Sequence, residues 1–257
     1  MQTIDELFAA ATGERDDDSR WEAIEELQRR GSRDVFERAA YLCHHDSTRA
    51  RITGAEVLAQ LGGDARPFRS EAWPILQSML ADEDSTVLAG AVQALGQQGD
   101  ERVIESATRL TTHAEANVRW AVASALAEWA HDERAMRILV SLTRDEDPGV
   151  RDAATFAVGA LSELDTPAIR SALVARLDDC EASVAREAQL GLARRHDRRV
   201  IPAVVRAIEA SENELDEILD EVAVPEMLPA LMDAKQSIGD TAALRQLIEQ
   251  ARAREED

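Results

Sequence analysis

Arg20, Arg51, Arg119 and Arg151 recur at one register of this chain, each directly after Ser19, Ala50, Val118 or Val150. A guanidinium carries five N–H donors in a planar fork. A ladder of them either binds an extended anion or pairs with acids of its own and the adjacent repeat, tying loops together. Leu88 and Ala185 interrupt the series. Residues that recur with a repeat are usually those that stacking requires, so the expectation is a structural ladder, with Glu115 and Asp147 among its partners.

The other chemistry-bearing residues give less. Cys43-His44-His45-Asp46 holds metal-capable atoms, but four adjacent residues cannot converge on an ion as spaced ligands do, and His113, His131 and His196 fall in separate loops. A helix end with a buried cysteine and solvent-facing histidines is expected there, with Cys43 and Cys180 both reduced. The chain has no G-x-S-x-G, H-E-x-x-H, phosphate loop or glycine-rich dinucleotide turn, and Ser124 and Ser183 have no base near them in sequence. Asp152 and Glu187 could meet across adjacent repeats, although among 50 acidic residues some such pair is inevitable. No catalytic residue, cofactor site or metal site is expected.

The elements that hold these residues repeat. Ser19, Ala50, Val87, Val118, Val150 and Val184 each open a run with a large aliphatic residue eight positions on, at Leu27, Leu58, Leu95, Leu126, Val158 and Leu192. The intervals of 31, 37, 31, 32 and 34 residues are those of stacked helix pairs. Offsets of zero, four and eight trace one helix face, and the small residues in its middle let neighbouring backbones approach. An amphipathic helix precedes each run, over roughly 3–11, 34–43, 70–80, 101–110, 132–142 and 167–177. Asp84 and Asp147 are placed to cap the helices that follow them. Pro67 and Pro74 accompany the longest interval, so an extended connection near 62–69 and a bent or late-starting helix are expected; Pro74 could itself begin that helix. The reading is one domain over 1–257, with six repeats over 1–196 and an atypical repeat and cap over 197–257. It comprises about fourteen helices in six to seven pairs, an all-α solenoid of the ARM/HEAT type wound as a right-handed superhelix.

Composition agrees with close helix packing, since 45% of residues are apolar but only 4% aromatic. A formal charge of −21 repels nucleic-acid phosphates and anionic lipid, which excludes nucleic acid and membrane as charge-steered partners and favours a basic protein. No run of eighteen apolar residues and no leader pattern occurs, so a cytoplasmic protein is expected.

Val150 to Gly159, V-R-x-A-A-x-x-A-x-G, and its echo at 117–129 resemble HEAT repeats of the short, bilin-lyase type. The stretches at Asp5, 117–129 and 184–204 are similar to a bacterial HEAT-repeat family encoded beside Rhs toxins and regarded as immunity proteins. The first resemblance implies stacked helix pairs; the second implies neutralisation of a toxin domain. A bilin-lyase-like subunit and a self-assembling scaffold are the alternatives, and self-association stays open.

Two stripes vary between repeats while facing away from the predicted core. Two residues after each start stand Trp21, Ile52, Ala89, Trp120, Asp152 and Arg186; six after stand Glu25, Glu56, Gln93, Ser124, Phe156 and Leu190. If second helices line a concave side, these residues are the candidate partner surface. Trp120 and Phe156 are then either anchors or fillers between repeats, whereas Trp73 and Trp129 are assigned to packing.

Overall fold

The computed structural model describes residues 2–13, 17–210 and 215–256, the side chains of 17 and 256 excepted. Contacts divide the chain into two compact units, Met1–Trp129 and Ala130–Asp257. Among the described residues there is no strand, and both units are α-solenoid stacks of helix pairs.

The N-terminal unit pairs α1 (Ile4–Thr12) with α2 (Asp17–Arg30), α3 (Arg33–Leu42) with α4 (Thr48–Ala59), α5 (Arg69–Ser78) with α6 (Ser85–Gln97), and α7 (Arg102–Thr108) with α8 (Ala116–Ala127). The second helices pack on one another in the order α2, α4, α6, α8. Each opens two residues before its repeat start, and Val87, Val118, Leu27, Leu58, Leu95 and Leu126 are buried between neighbours. Asp84 caps α6 as expected, its carboxylate accepting from the Thr86 amide at 2.9 Å. The Thr48 hydroxyl donates to the same carboxylate at 2.9 Å, and these bonds hold the Asp84 pKa below the usual range.

The third pair is where expectation and structure part. α5 starts at Arg69, five residues before Pro74, which therefore lies inside the helix and does not begin it. A 3-10 turn over Gly63–Ala65 occupies part of the predicted extended connection. The sequence overweighted the proline; burial of Ala72, Trp73 and Leu76 carries the helix through it.

The C-terminal unit pairs α9 (Glu133–Leu142) with α10 (Pro148–Phe156), α11 (Pro167–Val174) with α12 (Ala182–Ala193), α13 (Ile201–Glu209) with α14 (Asp216–Val222), and α15 (Leu228–Ile238) with α16 (Ala242–Glu256). Among the described residues sixteen α-helices in eight pairs thus stand where about fourteen in six to seven were expected, the C-terminal stretch resolving into two full pairs. Within the stretch expected to form the cap, Leu215, Ile218 and Val222 are buried.

The end of α10 widens into a π turn over Ala157–Leu161. Such a turn frees carbonyls, and two adjacent arginines meet them. Arg195 donates to the Val158, Ser162 and Leu164 oxygens at 3.0, 2.7 and 2.9 Å and to the Gly191 oxygen at 2.7 Å, and Arg194 reaches the Ala160 oxygen at 2.6 Å. Burial lowers the Arg195 pKa from its ordinary value.

Candidate functional site

The ladder arginines are sunk in the structure. Arg20, Arg119 and Arg151 are 8%, 6% and 8% exposed. Arg51 donates back to the His45 and Asp46 carbonyls at 3.1 and 2.9 Å and forward to Asp82 at 3.0 Å. Arg151 repeats this geometry one unit on, with the Asp145 and Glu146 carbonyls at 3.0 Å and both oxygens of Asp179 at 3.0 Å. Arg119 makes the backward bonds, to His113 and Ala114 at 2.8 Å. Arg20 pairs with Glu56. Three of the ladder acids thus come from the following repeat, while Asp147 caps its own helix by accepting from the Val150 amide at 3.1 Å.

A loop position missed at the level of sequence bears on which partner a ladder arginine takes. Six residues before the ladder register stand His45, Asp82, His113, Asp145 and Asp179, and each side chain accepts from the amide two residues ahead, at 2.9 to 3.1 Å. Aspartate and neutral histidine are interchangeable as that acceptor, but only aspartate also takes a guanidinium from the preceding repeat. Arg51 therefore faces Asp82, and Arg151 faces Asp179. Where the loop holds His113, the preceding register is Leu88; where it holds His45, Arg20 turns to Glu56 instead. Burial pushes the Asp179 pKa up, but Arg151, the Glu181 amide and Arg176 outweigh it, and the net direction is down.

His45 is accordingly a loop-building residue, with its Nδ1 engaged by the Ser47 amide at 3.0 Å. Cys43 is buried, and burial pushes its thiol up to about 12, so it is no nucleophile at neutral pH. Among the described residues no group of three or more His, Cys, Asp or Glu is placed to hold a metal.

The variable stripes behave differently in the two units. In the N-terminal unit, Trp21, Glu25, Ile52, Glu56, Ala89, Gln93 and Trp120 line one concavity of about 700 Å³ across α2, α4, α6 and α8. Trp21 is 47% and Trp120 41% exposed. Gln28, Gln60, Gln97 and Asn117 supply amides around it, and among the described residues no lysine, arginine or histidine lines it. Arg20 sits beside the groove, over the Trp21 ring at 5.1 Å, and is tied to Glu56. Burial raises the Glu56 pKa, with Arg20 opposing. Trp73 is buried and capped by Arg102 at 4.3 Å, as a packing residue should be.

In the C-terminal unit, Phe156 is 42% exposed and Asp152 and Arg186 are half-buried, but Leu190 is 7% exposed, which corrects its place on the candidate surface. The reason lies in packing: Leu190 is on α12, which has α10, α11 and α14 packed against it. Glu187, on the same helix, has its pKa raised by burial and then by the nearby charge of Asp152.

Comparison with known proteins agrees with this architecture. HEAT repeats match residues 106–193. Protein YibA of Escherichia coli (strain K12) is 27% identical over 214 residues, spanning 80% of this chain and 75% of YibA. The X-ray structure of E. coli YibA superposes with a TM-score of 0.78 at 24% identity, covering 98% of this chain and 93% of that one. The complex of CpcE and CpcF of phycocyanin lyase from Nostoc sp. PCC7120 gives a TM-score of 0.49 at 16% identity, covering 99% and 95%, a likeness too low to argue from. Among the described residues no helix is long and apolar enough to cross a membrane.

Proposed function

We propose that this protein is a non-catalytic protein-binding module whose partner seats on the second-helix face of the N-terminal unit. The observation that carries the reading is the groove across α2, α4, α6 and α8, with exposed tryptophans from α2 and α8 and polar amides between them. Aromatic anchors in a polar surround, on a preformed surface, lower the ordering cost of association. The groove's two glutamates, its lack of lining cations and the formal charge of −21 favour a basic partner. Joined to the resemblance to immunity proteins, these features make a basic bacterial toxin domain the partner class we favour.

Affinity capture from native lysate, with mass spectrometry, tests the reading. The wild-type chain should retain a discrete basic protein, Trp120→Ser should lose it, and salt should weaken the complex. Retention unchanged by Trp120→Ser contradicts it. The alternative, an auxiliary subunit of a bilin lyase, predicts pigment absorbance on a co-expressed acceptor protein. Self-assembly predicts light scattering that rises with concentration beyond the monomer.

A further inference from the structure

Gly90, on the groove face of α6, is set apart from Gly54, Gly96, Gly159 and Gly191. A Cβ at Gly54 would lie 2.7 Å from the Ala39 oxygen, at Gly96 2.8 Å from Ala125 Cβ, at Gly159 2.5 Å from the Glu187 oxygen, and at Gly191 2.6 Å from Gly159 Cα. Those glycines exist because a neighbouring element leaves no room for a side chain. A Cβ at Gly90 meets only Ile52 Cγ2, at 3.9 Å, which is ordinary contact. Its φ is not positive either. Neither packing nor backbone conformation calls for glycine, and a glycine there weakens the helix. What the residue preserves is open space on the floor of the groove, between Ile52, Ala89 and Gln93.

We infer that Gly90 is the point of closest approach for a cationic segment of the partner, which lays its main chain against α6 and turns lysine or arginine side chains toward Glu25 and the tryptophan faces. The inference rests on the protein-binding reading above and specifies its occupant. Charge complementarity supports the choice: among the described residues no cation lines the groove, and Glu25 faces it without the Arg20 pairing that Glu56 has. The seating of Arg20 over Trp21 at 5.1 Å shows that this ring already accepts a guanidinium. Gln93 and Gln97 stand three and seven residues beyond Gly90 on the same helix, where their amides can both donate to and accept from a main chain.

The probe is a random-peptide display library selected on the full chain. Gly90→Leu fills the floor, Gly90→Ala adds one methyl, and Tyr41→Ser alters an exposed residue of α3 outside the groove. Gly90→Ala should melt no lower than wild type, since the added carbon meets only Ile52 Cγ2, at 3.9 Å, and the melting temperature of Gly90→Leu is measured to confirm that it folds. Selected peptides should carry net positive charge, lose at least about tenfold in affinity for Gly90→Leu, and keep it for Tyr41→Ser. Neutral or acidic binders, cationic binders indifferent to Gly90→Leu, or a library that yields none would each overturn the inference. If a lysate partner is still captured by wild type and lost from Trp120→Ser in any of these cases, the protein-binding reading stands and only its occupant was misassigned.

Discussion

One helical register serves both units, yet it lines an open groove in the N-terminal unit and is partly closed in the C-terminal one. The glycines mark the difference. In the C-terminal unit, Gly191 on α12 meets Gly159 of the π turn backbone to backbone, and Leu190 beside it is buried. In the N-terminal unit, Gly90 occupies the same kind of helix interior with open space over it. The same residue type thus serves two ends: Gly54 and Gly96 close the N-terminal stack as Gly191 closes the C-terminal one, while Gly90 keeps the groove clear. Whether a repeat's variable stripe becomes surface or core depends on what lies against it, and helical periodicity does not report that.

Five substitutions sharpen the contrast. The largest effect belongs to Arg195→Ala, which strands the carbonyls of the π turn and should cost about 3 kcal/mol or more in chemical denaturation. A cost below about 1 kcal/mol would mean that water replaces the guanidinium at no loss. Arg151→Ala comes next, at about 3 kcal/mol, because it leaves the Asp179 carboxylate buried without its main partner. By contrast, His113→Asp should be close to neutral, since aspartate keeps the loop's acceptor and Leu88 offers it no guanidinium. Gly191→Ala should cost about 1–3 kcal/mol through overpacking against Gly159, whereas Gly90→Ala should stabilise by about 0.5–1 kcal/mol. Equal signs for the two glycine variants would erase the distinction between the units.

The smallest effect is confined to acid. Asp197 accepts from the Arg199 side chain at 2.8 Å, the Arg199 amide at 3.1 Å and Arg170 at 3.1 Å, and its pKa is held at about 2. The Arg199 side chain is the main cause, working against burial. Because the folded value lies below the unfolded one, the group's contribution is full above the unfolded pKa and is lost as pH falls toward about 2. Asp197→Asn should flatten that part of the stability profile; an unchanged acid limb would show that Asp197 contributes nothing there.

The repeat framework was legible because aliphatic residues at offsets of zero, four and eight must face neighbours in any helix stack, and all six second helices open two residues ahead of the predicted register. The arginine ladder was legible as packing, but not its partners. The acids of Arg51 and Arg151 sit 31 and 28 residues ahead, on whichever loop the next repeat brings over, and spacing alone cannot select it. His45, Asp82, His113, Asp145 and Asp179 were visible in register throughout, but two residue types of different charge conceal a shared acceptor role. Seven stripe residues of the N-terminal unit do converge on the groove, and Leu190 does not reach a surface. Gly90 reads in the sequence as one more small residue that lets backbones approach, because a glycine kept for space and one kept for contact look identical there.

The central claim is that another protein occupies the face formed by α2, α4, α6 and α8. Photo-cross-linking in the native cell tests it directly, with a benzophenone amino acid placed at Gln93 in the groove or at Tyr41, which is 68% exposed on α3. A discrete heavier adduct from Gln93, absent from Tyr41, is the predicted result. No adduct from Gln93, or the same adducts from both positions, would contradict it.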